Sequence, residues 1–69
     1  MKLHYYRETD SLYIDLADRP SAESREVAPG VVLDFDEGGV LVGIDIDNAS
    51  RKLDLSRVET IALPVASPA

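Results

Sequence analysis

Between Gly30 and Asp47 the chain reads GVVLDFDEGGVLVGIDID, with large apolar residues recurring at every second position and acids filling the gaps. A strand sends successive side chains to opposite faces, so this alternation dictates a half-buried β-sheet and argues against a helix. Val31, Leu33 and Phe35 share one face of one strand. Val40, Val42, Ile44 and Ile46 share one face of the next, and the intervening EGG has turn composition. A tip at Glu37 and Gly38 pairs Phe35 with Val40 and Leu33 with Val42, which gathers the large apolar residues on one side. Asp34, Asp36, Asp45 and Asp47 then occupy the opposite side, with Val32 and Leu41 among them.

The same period marks the N-terminal segments. In KLHYYR, Leu3 and Tyr5 alternate with Lys2, His4 and Tyr6. In SLYIDLA, Leu12, Ile14 and Leu16 alternate with Tyr13, Asp15 and Ala17. A turn at Glu8 and Thr9 sets Tyr5 opposite Leu12 and Leu3 opposite Ile14. On the other face it sets Lys2 opposite Asp15 and His4 opposite Tyr13. Residues 18–24 read as a loop broken by Pro20. The short polar segment SREVA precedes a turn at Pro29 and Gly30. A tight turn there places Arg25 opposite Asp34 and turns Ser24 and Glu26 awkwardly toward the core, so this segment is expected to be an edge strand.

After Asp47 the period changes. Asn48 or Ser50 is positioned to cap a short helix. Ser56 and Glu59 have capping-box spacing. Leu55, Val58 and Ile61 fit a helical face, while VETIAL also reads as a strand, and Pro64 ends whichever forms. The expected fold is α+β and β-rich: an antiparallel sheet of four or five strands built from two hairpins, with a short C-terminal helix. Residues 1–63 form the expected single domain, and residues 64–69 a frayed tail.

With 69 residues and no cysteine, the core is small and no disulfide or thiolate metal site reinforces it. A chain of this size is stabilised by association where other staples are lacking, so a homodimer is expected. Val27, Val32 and Leu41 form an apolar group within the acidic face and are the expected interface. The net charge of −6 opposes direct nucleic-acid binding and attraction to anionic membrane surfaces. No apolar run approaches a membrane span, and the start lacks the apolar stretch of a signal peptide; a cytoplasmic location is expected.

Acids alternating with core residues are the ordinary solvated face of an antiparallel sheet. An alternative is a divalent-cation site at Asp34, Asp36, Asp45 and Asp47, since hard cations take several oxygen ligands. A more remote alternative is a small hydrolase using a carboxylate pair, but a flat wet face supplies neither the burial nor the coupling that separates two pKa values. His4 is the only imidazole, no serine is framed by a histidine and an acid, and no glycine-rich phosphate loop precedes a helix. No catalytic residue and no cofactor are therefore assigned.

The blocks YYRETDSLYIDLADRP and ESREVAPGVVLDFDEGGVLVGIDIDNAS resemble the small prokaryotic family known as domain of unknown function 2283 (DUF2283). Tyr6, Asp10, Leu12, Tyr13, Ile14, Gly30, Asp34, Gly39, Val42, Gly43, Ile44, Ala49 and Ser50 carry the likeness. Ser11 departs from it, standing where members usually have alanine. The resemblance implies a β-rich fold with a short C-terminal helical part and no established activity. Some members lie beside genes for small toxin-like ribonucleases. The expected function is a bacterial, non-enzymatic protein-binding module, and by association those gene neighbours extend the expectation to an antitoxin-like partner of a basic toxin.

Overall fold

A computed structural model of the chain describes residues 1–64. It contains β1 (Lys2–Tyr6), β2 (Ser11–Asp15), β3 (Glu23–Ala28), β4 (Val31–Phe35), β5 (Leu41–Ile46) and α1 (Ala49–Lys52). The strands form one antiparallel sheet in the order β1-β2-β5-β4-β3. This is the expected β-rich α+β arrangement, with five strands. Of the expected frayed tail, residues 65–69 lie outside the described residues. No helix among the described residues is long and apolar enough to cross a membrane.

The first hairpin has the register its parity demands: Leu3 opposite Ile14, His4 opposite Tyr13 and Tyr5 opposite Leu12. Four residues, Arg7 to Asp10, close it, and Asp10 adopts a left-handed φ of 51°, which Asp tolerates better than most residues.

The second hairpin corrects the expected register. Leu33 faces Ile44 rather than Val42, and Phe35 faces Leu41 rather than Val40, which lies outside β5. The physical reason is twofold. The tip takes an extra residue: Asp36 and Val40 close it, and Gly39 turns it at φ 81°. The Asp36 carboxylate holds that tip by accepting the Gly38 and Val40 amides, each at 2.9 Å. A bulge beside Asp34 and Phe35 then adds a second residue. An offset of two leaves parity unchanged, so Leu33 and Ile44 still share the apolar face.

A bulge also corrects β3. The turn at Pro29 and Gly30 sets Ala28 opposite Val31, but the register shifts between Glu26 and Ala28. Ser24 therefore faces Asp34, and Arg25 faces Leu33. The expected Arg25–Asp34 pair does not form. Ser24 and Glu26 turn to the polar face, and the Arg25 guanidinium lies over the Phe35 ring, 4.9 Å from its centroid. Every residue of β3 is exposed, as befits an edge strand, and its bulge discourages pairing with another strand.

The tail corrects the last expectation. One turn of helix follows Asn48, which caps it through backbone geometry (φ 52°) without a side-chain bond. Neither a second helix nor a strand forms over VETIAL. Ser56 gives its hydroxyl and amide to Asp54 instead of capping a helix, and Arg57 pairs with Glu59. Leu55 and Val58 come alongside Leu3, Tyr5 and Leu12 at the β1–β2 end of the apolar face.

Among the described residues the buried apolar side chains are Leu12, Val42 and Ala49. Among the described residues, no second layer of secondary structure packs on the sheet. The molecule is a slab of 38 × 33 × 19 Å, with one apolar broad face and one polar broad face.

Candidate functional site

The polar face is organised around a glycine. Gly43 lies in the central strand, between Asp15 of β2 and Asp34 of β4. Glycine inside a strand marks a close approach, and here the approaching group is Tyr13. A methyl on Gly43 would collide with the Tyr13 hydroxyl and come within 2.5 Å of its Cζ atom. The Tyr13 side chain crosses β5 over this gap and donates its hydroxyl to Asp34 Oδ2 at 2.9 Å. Ser24 donates to Asp34 Oδ1 at 2.6 Å. One hydrogen-bonded chain thus ties β2, β4 and β3 across the open face. Partial burial, reinforced by the bond to Asp34 and the charges of Asp15 and Asp45, pushes the Tyr13 phenol up to about 12.

Asp45 stands opposite both Tyr13 and Val32. Burial raises its pKa above the usual aspartate value, and the negative charges of Asp47 and Asp34 add to the rise. Asp47 Oδ1 accepts the Ser11 hydroxyl at 3.2 Å. Tyr6, Thr9, Ser11, Tyr13 and Asp45 line a shallow hollow, and the His4 and Tyr6 rings stack at 6.4 Å along β1.

The acids singled out as possible cation ligands are distributed differently from one another. Asp34 holds Tyr13 and Ser24. Asp36 sits at the hairpin tip, where it also pairs with Arg19 at 3.1 Å. Asp45 and Asp47 line the far end of β5. Among the described residues, no group of three or more His, Asp or Glu side chains converges where an ion would sit. Of the expected interface residues, Val27 is exposed at the β3 bulge and Val32 lies half-buried on the polar face opposite Glu26 and Asp45. Leu41 pairs with Phe35. Leu41 lies four positions along β5, about 13 Å of strand, from Asp45, the partner of Val32.

A second cluster escaped sequence reasoning. Asp10, on the first hairpin turn, accepts the Tyr5 hydroxyl at 2.7 Å and the Ser50 hydroxyl at 2.7 Å. Its Oδ1 takes the Ser50 amide at 3.1 Å, and its backbone carbonyl takes the Ala49 amide at 2.8 Å. Orphan amides at the start of α1 are thus satisfied by a residue 40 positions away. The hydrogen bonds from Ser50 and then Tyr5 hold the Asp10 carboxyl below the usual aspartate range. The same Asp10 bond raises the Tyr5 phenol. Lys52 secures the other side of α1 by donating to the carbonyls of Asp47 (2.6 Å) and Pro29 (3.0 Å).

The sequence profile of a family described as protein of unknown function, DUF2283, matches residues 2–50. The chain belongs to the DUF2283 family. The matched span starts where β1 starts and ends at Ser50, the residue that Asp10 holds. The DUF2283 match therefore covers the sheet and its closure onto α1, while the irregular segment after Lys52 lies beyond it. No curated protein and no solved structure matches the chain. Eight of the residues that carry the resemblance to DUF2283 fall at the tight places described above: Tyr13 over Gly43 to Asp34, Asp10 on Ala49 and Ser50, and the left-handed turns at Gly30 and Gly39.

Proposed function

We propose that this DUF2283 protein is a non-enzymatic binding module whose polar sheet face receives a basic protein partner. The observation that carries the reading is the fixed acidic face itself. Asp15, Asp34, Asp45, Asp47 and Glu26 project from four adjacent strands of a sheet whose side chains are tied laterally by Tyr13 and Ser24. Acids held at set spacings select a cationic surface and steer its approach. Charge alone gives little affinity; apolar and aromatic anchors supply the rest. The hollow lined by Tyr6, Tyr13 and Asp45 suits a lysine or arginine side chain, which gains from both a carboxylate and aromatic rings. Val32, beside Asp45, adds an apolar contact.

In its narrower form the reading is that of an antitoxin. A ribonuclease is basic where it grips phosphates, and an acidic face that imitates its substrate blocks that groove. The test is capture from a lysate of the source cell on the immobilised full chain, eluted with a salt gradient. The expected result is a basic partner that leaves as salt rises and is not captured by the Asp45→Asn/Asp47→Asn variant. If the captured protein cleaves RNA, adding the chain abolishes that cleavage. Capture indifferent to salt, or undiminished in the double variant, overturns the reading.

A further inference from the structure

We infer that the opposite, apolar face of the sheet is the seat of a second copy of this chain, and that the segment from Val58 to Leu63 of each copy lies in the contact. Two unpartnered surfaces on one molecule point to this. The first is the apolar face. Leu33, Ile44 and Ile46 are only half-buried, and Leu3 and Tyr5 remain 49% and 46% exposed, because no layer among the described residues covers the sheet. The second is the tail beyond Leu55. Val58 is 68% exposed and Ile61 81%, an arrangement that leaves large aliphatic side chains in water within reach of an uncovered sheet. Among the described residues, the tail meets the apolar face at the β1–β2 end, where Leu55 and Val58 lie beside Leu3, Tyr5 and Leu12, and Val58 and Ile61 stay largely in water.

A second copy related by a two-fold axis brings both surfaces together twice, which is how an isologous interface works. Size agrees. An ellipse with the 38 and 33 Å axes of the slab covers about 1,000 Å², against roughly 800 Å² per partner in a stable interface. Facing apolar sheets pack about 10 Å apart and make a two-layer core from two single layers. The polar edge agrees as well. Arg25, folded over Phe35, sets its charge at the β3 margin of the apolar face. This places the seam on the face opposite Val32 and leaves the acidic face free in the dimer.

Sedimentation velocity of the full chain across about 1–100 µM tests the inference. The expected species at the upper end is a dimer. Val58→Asp/Ile61→Asp changes residues that touch water in the protomer, so its circular dichroism should match the parent while its dimer dissociation constant rises at least tenfold. Val32→Asp, on the other face, should leave the dimer intact. A chain that stays monomeric at about 100 µM overturns the inference. So does a dimer that withstands the tail double variant, or one that Val32→Asp dissolves.

Discussion

The two faces of this sheet reach order by opposite means. The polar face is crossed by short, directed bonds: Tyr13 to Asp34, Ser24 to Asp34, Ser11 to Asp47. Its side chains have defined places although water is near. Among the described residues, the apolar face has bulk but no closure, and its large residues stay half-exposed beside a tail whose Leu55 and Val58 meet the β1–β2 end. A hydrogen bond is complete within one protomer, whereas burial needs a second layer. The polar face is thus a finished surface and the apolar face an unfinished core.

The comparison breaks first where the little closed core lies. Val42 is 2% exposed, and Val42→Ala should cost about 2 kcal/mol from lost transfer and the cavity left behind. Chemical denaturation should report this as a lower midpoint with an unchanged slope. Ile61→Ala, in exposed tail, should cost far less within the protomer.

Gly43→Val attacks the polar face. Its side chain must displace the Tyr13 ring, with an expected cost of roughly 1–3 kcal/mol and loss of the bond to Asp34. The Tyr13 titration should then fall from about 12 toward the ordinary tyrosine value near 10, read by ultraviolet absorbance against pH. The folded-state pKa is raised, so the neutral phenol favours the fold. That contribution is present below about pH 10 and is lost as pH rises toward 12.

Asp10→Ala removes the bond to Tyr5 and the closure on Ser50, and puts alanine at a left-handed φ. Thermal unfolding near neutral pH should begin several degrees lower, with helical signal from α1 lost. Because the folded-state pKa of Asp10 is lowered, its stabilising effect is present above the unfolded value near 4 and fades as pH falls through the folded value. The gap between the parent and variant melting curves should therefore narrow in acid, leaving the part due to alanine's left-handed φ.

The smallest effect has the opposite sign. Asp45 has a raised pKa, so its carboxylate is disfavoured in the fold at neutral pH. Asp45→Asn should raise the melting temperature slightly at pH 7, and the gain should vanish below about pH 4, where the parent carboxyl is protonated. The same change should weaken binding of a basic partner. A stabilising substitution that impairs binding would mark Asp45 as kept for the surface it presents rather than for the fold.

Much of this architecture was legible in the sequence because parity survives small errors. The first hairpin could be registered from its apolar residues alone. In the second, the extra residue at the tip and the bulge beside Asp34 leave no mark on the alternation, so the faces were right while the pairs were displaced. That displacement hid the Tyr13–Asp34 bond, since the expected register set Asp34 opposite Leu41. Gly43, alone inside a central strand, was the available signal. The Asp10–Ser50 contact left no local pattern because its partners lie 40 residues apart. Ser56 and Glu59 have the right spacing for a cap, but Asp54, two residues away, takes the serine first.

The most direct test of the contrast between the faces is solvent paramagnetic relaxation in nuclear magnetic resonance of the full chain at about 100 µM, using a neutral soluble probe. The account predicts that the methyl groups of Leu33, Ile44 and Ile46 are shielded while the ring protons of Tyr6 remain accessible. It also predicts that dilution exposes the methyls and leaves Tyr6 unchanged. Methyls that relax as fast as Tyr6 at every concentration, or shielding that falls on Tyr6 instead, would contradict it.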